Sequence, residues 1–389
     1  MVIAVIVNEL NIRGGTHKQV LRFVEYLEKN NIEYQLLTRY YNPELTYAEF
    51  KKYNVFFLKK EAYIPSNKWG ILSNLYNRIH DFKEQVKLFR LINKKVDIVN
   101  VHDNNLSIVL LMSKILRKKV IWQINDLPGC FMVGGASRDK ERYIFKYARI
   151  FYRFLAKYID IITVNVSKNS NLVKRCMNKD AKVFYCGTDL EKNTSVHKNI
   201  KNKGYIKLLS VGVWHPNRNY ESLVEVVNLL KSEAVDCQLD IVGSLEIGKE
   251  YCDRVIALIK KYKLENNIFI RGQLGEVELE KTYKEADIFL FINIEQSWGL
   301  AVFEAMGKGL PVIVSNGVGA IELLTNNKNA LIVDPFNIRD IADKIKLLVN
   351  DKLYEKIASN GFNDVQDYSW DNLYNKKMLS SINSLREVE

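Results

Sequence analysis

Short apolar runs alternate with helical patterns along almost the whole chain. The first half begins with VIAVIV at residues 2–7, and a helical pattern follows with Val20, Val24 and Leu27 on one face. Further strand candidates in this half are EYQLLTR, NVFFL, DIVNV, KVIWQI and DIITVNV. Continuous apolar runs separated by helices are typical of parallel strands that are buried on both faces. The first half is therefore predicted to form a doubly wound α/β domain.

The second half repeats this alternation. IKLLSVGV at residues 206–213 precedes a helix with apolar residues at the i, i+3, i+4, i+7 spacing, and the later strand candidates are LDIVG, IFIRG, DIFLFI, PVIVS and ALIV. This pattern predicts a second doubly wound, Rossmann-like domain. Ligands of such sheets bind outside the carboxyl ends of the strands, so we expect the two domains to face each other across a ligand-binding cleft.

The domain boundary is expected where the apolar periodicity stops. After VFYCGTDL the chain is rich in Asn, Lys and Ser for about fifteen residues. We therefore predict a first domain over residues 1–190 and a second over residues 205–369. A last helical pattern, WDNLYNKKMLSSINSL, has no strand after it.

Composition narrows the class of protein. The chain has 389 residues, of which 47% are hydrophobic and 26% charged, which suits a globular protein with two cores. No apolar run approaches the ~20 residues of a membrane span, and MVIAVIVNEL lacks the pattern of a signal peptide, so we expect a cytoplasmic protein. The five cysteines show no CxxC spacing, which favours reduced thiols over disulfides or a zinc site.

Positive charge is concentrated in the first half. The formal net charge is +12, and residues 1–190 contain 32 Lys and Arg against 17 Asp and Glu. A protein that binds a polyanion or rests on an anionic membrane surface shows such an asymmetry, and so does a merely solvated lysine-rich surface. A basic nucleic-acid-binding protein is one alternative, although no RNA- or DNA-binding signature is present.

Residues 139–158, DKERYIFKYARIFYRFLAKY, predict a strongly amphipathic helix. One face is basic and carries Arg142, Lys146, Arg149, Arg153 and Lys157. Another face is apolar and carries Ile144, Tyr147, Phe151, Phe154 and Tyr158. We expect the aromatic face to pack into the first domain. The basic face is expected to contact anionic lipid, with a simply solvated face as the alternative.

Two turns are suited to anion binding. Gly14-Gly15 lies between the first strand and the first helix, where backbone N–H groups can point at an anion, although a plain tight turn would look the same. GVWHPNRNYESL places Arg218 near a helix N-terminus, where it could clamp a diphosphate or lie in an exposed loop. Neither GxxxxGK[ST] nor GxGxxG occurs, which argues against P-loop NTPases and simple dinucleotide dehydrogenases.

The stretch NIEQSWGLAVFEAMGKGLPVIVS, residues 293–315, places a short helix between two apolar runs. Its Trp-Gly pair opens a helix near Gly299, and Gly-Leu-Pro ends that helix before the next strand. A carboxylate such as Glu304 can accept two hydrogen bonds from vicinal hydroxyls like those of a ribose. A solvated helix residue is the alternative for Glu304.

This stretch resembles the signature of retaining glycosyltransferases of family 4, which have the GT-B fold. The similarity extends along most of the chain, through the Gly14-Gly15 turn, DIVNVHDN, VIWQINDLPG, CGTDL, LLSVGVWHPNRNYESL and YKEADIFLFI. The resemblance implies transfer of a sugar, with retained anomeric configuration, from a UDP- or GDP-linked donor to a glycan or lipid-linked acceptor in surface polysaccharide or glycolipid synthesis. It implies no further cofactor and no metal ion. It also implies that the final helix, about residues 370–389, packs on the first domain.

The resemblance assigns roles to residues of this chain. Glu304 would bind the donor ribose, Arg218 stands where the family has a diphosphate-binding lysine, and Gly15 would lie under the phosphate and sugar. The remaining donor-binding candidates are backbone groups, at Gly299 and Leu300 for the diphosphate and at Gly272, Gln273 and Leu274 for the base. The candidates for catalytic groups are Gln296, Asn125, Asp126 and His102, although a structural role at a strand end is the alternative for His102.

Three positions depart from the family pattern. Gln296 replaces the first signature glutamate, Val213 replaces an arginine after the strand glycine, and Asn125 replaces the histidine that precedes Asp126. These changes imply an altered donor preference or a slower enzyme, and a catalytically impaired family member is the alternative. A nucleotide-sugar epimerase on the same fold is disfavoured because the signature is present in its strand context.

Overall fold

The computed structural model describes residues 1–63, 71–102, 104–131, 139–190, 204–245, 248–296, 298–349 and 351–385. The chain forms two compact units: unit 1 comprises Met1–Cys186 and Trp370–Glu389, and unit 2 comprises Gly187–Ser369. The sequence-based boundaries were 1–190 with about 370–389, and 205–369. The polar stretch at 191–203 lies outside the described residues.

Unit 1 contains a seven-stranded parallel sheet in the order β3-β2-β1-β4-β5-β6-β7. Its strands are β1 (Val2–Leu10), β2 (Glu33–Tyr41), β3 (Val55–Lys59), β4 (Ile98–His102), β5 (Lys119–Ile124), β6 (Ile161–Val164) and β7 (Ala181–Val183). Its first five helices are α1 (Gly15–Lys29), α2 (Ile71–Arg90), α3 (Ser107–Ile115), α4 (Asp139–Ala156) and α5 (Ser167–Met177).

The strand order of unit 1 assigns its helices to two layers. The chain moves in one direction along the sheet from β1 to β3, and in the other direction from β3 through β4 to β7. Because parallel crossovers are right-handed, α1 lies on one face of the sheet and α2, α3, α4 and α5 lie on the other. We call this second group the outer helical layer of unit 1.

The C-terminal segment covers the α1 face. The helical pattern at residues 370–385 is confirmed as α12 (Trp370–Leu373), a π-helical turn (Tyr374–Leu379) and α13 (Ser380–Ser384). The Tyr374 hydroxyl donates a hydrogen bond to the carbonyl of Gln19 at 2.8 Å, and its ring lies 5.2 Å from that of Phe23. These contacts join the last helices to α1 within unit 1.

Unit 2 contains a six-stranded parallel sheet in the order β10-β9-β8-β11-β12-β13. Its strands are β8 (Ile206–Val211), β9 (Cys237–Val242), β10 (Ile268–Gly272), β11 (Ile288–Phe291), β12 (Val312–Ser315) and β13 (Leu331–Val333). Its helices are α6 (Tyr220–Ser232), α7 (Lys249–Lys261), α8 (Glu276–Glu285), α9 (Leu300–Gly307), α10 (Ile338–Leu348) and α11 (Asp351–Val365).

The two doubly wound parallel sheets confirm the predicted fold class. Each strand candidate of the sequence corresponds to an observed strand, and β7, in the segment that was taken to lead into the linker, was missed. Each sheet has its own apolar core, centred on Trp122 in unit 1 and on Leu223 and Ile241 in unit 2. All five cysteines are free and buried. In the described ranges, none of the helices is long and apolar enough to cross a bilayer.

Helix α4 packs with a different face from the one predicted. Ala148, Tyr152, Leu155 and Ala156 face the core, and the Tyr152 ring stacks 6.0 Å from that of Trp122. Three of the expected core residues are instead exposed, with Tyr147 at 70%, Phe154 at 47% and Phe151 at 40%, and Tyr158 is half-buried. The 3.6-residue period identifies two faces of a helix, but it does not decide which of two apolar stripes meets the sheet. The side chains of Arg142 and Ile144, also named in that prediction, lie outside the described part of the helix.

Candidate functional site

Arg218 lies at the carboxyl end of the strands in the middle of the unit 2 sheet. It ends a short 3₁₀ turn, Pro216–Arg218, that follows β8. The next residue, Asn219, has φ of +55°, a left-handed conformation that asparagine tolerates, and its amide nitrogen donates to the Pro335 carbonyl at 2.8 Å. The guanidinium carbon lies 5.8 Å from the centre of the Phe291 ring at the end of β11. The turn therefore holds a cation over the ends of β8 and β11.

Glycines bring the neighbouring strand ends into close backbone contact. A Cβ atom at Gly243, after β9, would lie 2.0 Å from the Gly212 carbonyl oxygen, so only glycine fits there. The backbone N–H of Gly243 donates to the Gly272 carbonyl at 2.9 Å, which continues the contact to the end of β10. A Cβ at Gly212 would be 3.2 Å from Nε of Arg218. The floor of the site is therefore backbone, with Arg218 directly beside it.

Residues 293–296 and 298–300 add a helix N-terminus to the same edge of the sheet. The Ile294 N–H donates to the Asn217 carbonyl at 2.9 Å, which ties this segment to the turn that carries Arg218. Gly299 has φ of +125°, and a Cβ there would lie 3.1 Å from the Phe291 ring. Arg218 and the start of α9 at Leu300 therefore both adjoin Phe291. The first turn of a helix directs backbone N–H groups and a partial positive charge outward, which favours an anion.

Glu304 lies one turn further along α9 and is half-buried. The Tyr283 hydroxyl of α8 donates a hydrogen bond to Glu304 Oε2 at 3.3 Å, which helps to orient the carboxylate. Gly272, Gln273 and Leu274 precede α8, with the Gln273 side chain exposed and Gly272 at φ of +66°. The structure thus groups Glu304, Arg218 and the N-terminus of α9, and places residues 272–274 at the end of an adjacent strand.

Gln296 is held by its backbone. Its carbonyl accepts a hydrogen bond from the Gly319 N–H at 3.0 Å, and it forms a β-bridge with Val318. Its side chain is half-buried, and Glu295 beside it is exposed. The backbone contacts fix the position of residue 296, while its side chain keeps access to solvent within unit 2.

In unit 1, buried polar residues line one face of the sheet across three strands. The register pairs His102 of β4 with Gln123 of β5, and Gln123 with Thr163 of β6. His102 is fully buried, its Nε2 lies 2.6 Å from the Asn100 amide oxygen, and burial lowers its pKa to about 3. A neutral ring without solvent access in unit 1 fits the structural alternative for His102 rather than a catalytic group.

Asn125 and Asp126 follow β5 and differ in exposure. Asn125 is buried, and both polar atoms of its side-chain amide lack a hydrogen-bond partner among the described residues. Its backbone carbonyl accepts a hydrogen bond from the Asn165 amide at 2.9 Å. Asp126 is exposed, and its carbonyl accepts a hydrogen bond from the Asn104 amide. A buried amide with unsatisfied atoms is costly, so Asn125 is suited to bind water or a ligand hydroxyl.

Gly15 is the first residue of α1, and Gly14 is its N-cap. His17 in the first turn is buried, and its Nε2 donates to the Glu9 carbonyl at 3.0 Å. Burial lowers the His17 pKa to about 4, so the ring is neutral at physiological pH. His17 therefore joins the glycine turn to the end of β1, a role that the sequence reasoning missed.

Other contributors to the unit 2 site were also missed. Phe291 adjoins both Arg218 and Gly299, Tyr283 binds Glu304, and Gly243 forms the close backbone contact described above. The sequence carries a signal for the glycines, because the runs SVG, IVG and IRG each end a strand with glycine. Nothing in the sequence distinguishes Tyr283 or Phe291 from ordinary core aromatics.

Solved structures share the fold of this chain. The sucrose-phosphate synthase of Thermosynechococcus elongatus matches with a TM-score of 0.78 at 18% identity, covering 100% of both chains. Anabaena HepE in complex with UDP and glucose matches with a TM-score of 0.72 at 14% identity, covering 98% of this chain and 99% of that one. At these identities the likeness establishes the fold, which is the GT-B fold.

The family follows from the sequence of unit 2. Residues 191–364 match the model described as glycosyl transferases group 1. That segment spans nearly all of unit 2, so unit 2 is a domain of this family. The resemblance of this segment to glycosyltransferases, recognised from the signature, is confirmed.

Curated relatives carry related names. Poly(glycerol-phosphate) alpha-glucosyltransferase of Bacillus subtilis is 26% identical over 173 residues, which cover 44% of this chain and 25% of that protein. Capsular polysaccharide biosynthesis glycosyltransferase CapM of Staphylococcus aureus is 24% identical over 221 residues, covering 54% of this chain and 57% of that protein. The matched regions thus span about a quarter and somewhat over half of these two relatives.

Proposed function

We propose that this protein is a glycosyltransferase that moves a sugar from a nucleotide diphosphate donor to a glycan or lipid-linked acceptor, with retention of anomeric configuration. We assign donor binding to unit 2 and acceptor binding to unit 1. The observation that carries the proposal is the grouping of Arg218, the N-terminus of α9 and Glu304 at one edge of the unit 2 sheet. The family of unit 2 and the names of its relatives support it.

The chemistry of this grouping suits a nucleotide diphosphate. Arg218 and the first N–H groups of α9 offer positive charge and donors for the two phosphates. Glu304, oriented by Tyr283, offers carboxylate oxygens to the vicinal hydroxyls of a ribose. The backbone N–H and C=O groups of residues 272–274 can then form hydrogen bonds with the base. Because HepE was solved with UDP and glucose, a UDP-linked sugar is the first donor to test, followed by a GDP-linked one.

In the proposed transfer, the bond between the sugar C1 and the diphosphate oxygen breaks and a bond from C1 to the acceptor oxygen forms on the same face. The acceptor proton passes to the departing phosphate. Arg218 and the start of α9 would stabilise the charge that develops on this leaving group, so the reaction needs no dedicated base. We propose that it also needs neither a metal ion nor a further cofactor.

Four further candidates are assigned to the sugar and the acceptor. The Gln296 amide can hydrogen-bond a sugar hydroxyl without adding negative charge, and the unsatisfied amide of Asn125 can do the same. Gly15 at the start of α1 allows close approach of a ligand, because a glycine has no Cβ. Asp126 is exposed and remains a candidate, whereas His102 is assigned a structural role.

The test is a thermal-shift and calorimetric panel of UDP, GDP, ADP and their common sugar conjugates. A ligand that binds only the folded state raises the unfolding temperature with its occupancy. Glu304→Ala removes up to two charge-assisted hydrogen bonds and should weaken binding of the preferred nucleotide about 100-fold while the chain remains folded. Arg218→Ala should weaken binding of the diphosphate by about 10-fold or more.

Matched controls are Glu265→Ala and Arg254→Ala, which remove exposed charges of unit 2 away from this edge. Both should bind the nucleotide like the wild type. If no nucleotide shifts the wild-type unfolding temperature, or if Glu304→Ala binds normally, the proposal is wrong. Nucleotide binding without transfer to any glycan or lipid acceptor would instead identify the catalytically impaired family member.

A further inference from the structure

Helix α4 presents an apolar stripe to solvent at the surface of unit 1. Within its described side chains, Ile150 is 55% exposed, Phe154 47% and Tyr147 70%. Exposed large apolar residues are ordinary when they are scattered, but these three form one continuous face at the i, i+3, i+7 spacing. The core already has its own stripe from this helix, with Ala148, Tyr152 and Leu155, so this second stripe is not needed to cover the sheet.

Helix α2 of the same outer helical layer has the same character. Leu75, Tyr76, Ile79 and Phe82 are 45% to 62% exposed and follow one face of the helix. Between these helices, the end of α3 adds Ile115 at 73% exposure. Three successive helices on one face of a single unit therefore carry exposed apolar residues.

The charges around these stripes are positive. Residues 146–158 contain four basic residues and no acidic one, and Lys146 and Lys157 are exposed beside the stripe of α4. At the end of α4, a groove is lined by Arg153, Lys157, Arg175 and Lys179, among others. On α2, Lys83, Lys87 and Arg90 are exposed. The two acidic residues of α2 are engaged elsewhere, Asp81 with Arg39 and Glu84 with Lys59.

We propose that the outer helical layer of unit 1 docks on an anionic lipid surface, with the apolar stripe of α4 inserted at the level of the headgroups. Tyrosine and phenylalanine with flanking lysines are the composition of an interfacial helix. Acidic phospholipid attracts each nearby lysine, and apolar insertion supplies the second component that stable anchoring needs. The surface and its lipid partner are independent of the donor site of unit 2.

Charge complementarity favours lipid over a protein or a nucleic acid. Lysine is depleted in protein interfaces, and a single-stranded nucleic acid stacks its bases on aromatic side chains within a basic groove rather than on an exposed helix face. Here the apolar residues form the centre of the α4 face and the lysines lie at one flank, which matches the layered polarity of a bilayer surface.

Two arginines named in the sequence-based hypothesis have structural roles. Arg149 Nε donates to the Cys130 carbonyl at 2.7 Å, and Arg153 Nε donates to the Cys176 carbonyl at 3.0 Å. Reversing their charge would disturb the packing of α4 together with its surface. Lys146, Lys157, Ile150 and Phe154 are therefore the better positions to change.

The test is co-sedimentation of the full chain with vesicles of phosphatidylcholine containing either no or one-third phosphatidylglycerol, at low salt. The wild type should bind the anionic vesicles at least tenfold more strongly. Ile150→Ser with Phe154→Ser should reduce that binding tenfold or more, because two inserted side chains are lost. Lys146→Glu with Lys157→Glu should reduce it about tenfold or more and remove most of the salt dependence.

Phe336→Ser is the matched control, since Phe336 is 63% exposed but belongs to unit 2. It should bind vesicles like the wild type. All variants should keep the wild-type unfolding temperature and its shift with nucleotide, which separates this result from a failure of the proposed function. Equal binding to both vesicle types, unchanged binding of either double variant, or binding of nucleic acid instead of vesicles would overturn the proposal.

Discussion

The two units share one architecture but build the carboxyl edges of their sheets in different ways. In unit 2, the edge is formed by backbone, because Gly212, Gly243 and Gly272 let neighbouring strand ends touch. In unit 1, the same edge is rich in buried polar side chains such as His102 and Asn125. A backbone floor allows close approach of an anion, whereas a side-chain floor can select hydroxyl groups by their hydrogen-bonding pattern.

This difference agrees with the proposed division of labour. A nucleotide diphosphate presents the same phosphates whatever the sugar, so N–H groups and one arginine suffice to hold it. An acceptor presents hydroxyl groups whose positions differ between molecules, and side chains can change to match them. Unit 1 also carries the exposed basic and aromatic surface, while residues 191–389 contain 25 basic against 28 acidic residues.

The largest expected effect concerns the backbone floor of unit 2. Gly243→Ala would place a methyl group 2.0 Å from the Gly212 carbonyl oxygen, so one of the two strand ends has to move. We expect a loss of about 3 kcal/mol in the free energy of unfolding. That corresponds to a fall of roughly 6–12 °C in the unfolding temperature, measured by circular dichroism.

Gly129→Ala in unit 1 is the matched control, because a Cβ there meets no atom within 4 Å. Its unfolding temperature should stay within about 2 °C of the wild type. A Gly243→Ala protein as stable as the Gly129→Ala protein would contradict the close backbone contact in unit 2.

An effect of intermediate size is expected in the pH dependence of stability, which two buried histidines of unit 1 should cause. Burial lowers the pKa of His17 to about 4 and that of His102 to about 3. In the unfolded chain both rings gain a proton near pH 6.5, while the folded protein keeps them neutral, so stability falls as pH decreases from about 6.5 towards 4. At pH 5, each histidine should lower the free energy of unfolding by about 2 kcal/mol. Thermal unfolding between pH 7 and pH 5 measures this loss.

The pH slope, rather than the unfolding temperature itself, is the quantity to compare between variants. His102→Gln should roughly halve the slope, even if it also lowers stability at pH 7. His17→Gln should reduce the slope by a similar amount, because burial lowers the pKa of that ring as well. An unchanged slope in the His102→Gln protein would mean that this ring gains a proton in the folded state.

The smallest expected effect concerns the orientation of Glu304. Tyr283→Phe removes a hydrogen bond of 3.3 Å and leaves the ring in place. The affinity for the preferred nucleotide should fall about threefold, as for loss of one neutral donor, with little change in stability. Isothermal titration calorimetry measures this change. A loss as large as that of Glu304→Ala would show that the Tyr283 hydroxyl itself contacts the donor.

The fold and most of the unit 2 grouping could be predicted from the sequence. Strand runs such as IKLLSVGV are continuous and apolar because both faces of the sheet are covered. This pattern can be recognised from the sequence alone. Gly299 and Glu304 lie five residues apart around the start of one short helix, so local sequence nearly fixes their relation. Arg218 follows its strand within a few residues, which placed it at the same edge.

Other features could not be predicted, because they depend on which distant residues meet. Tyr283 reaches Glu304 from another helix, and His102 is enclosed only when Phe23 of α1 and the C-terminal helices cover its sheet face. The face of α4 that meets the core was predicted wrongly for the same reason. Two apolar stripes satisfy the same helical period, and only the position of the sheet and of Trp122 selects the one with Ala148 and Tyr152.

The sequence by itself determined the two parallel α/β units, the glycines at the strand ends, and the family through its signature, because each depends on local pattern and spacing. Tertiary structure alone decided that Arg218 and Gly299 share Phe291 as a neighbour, that His102 is enclosed, and that the aromatic stripe of α4 faces solvent. Burial and contact are properties of the packed chain, so no period or motif within one segment can specify them.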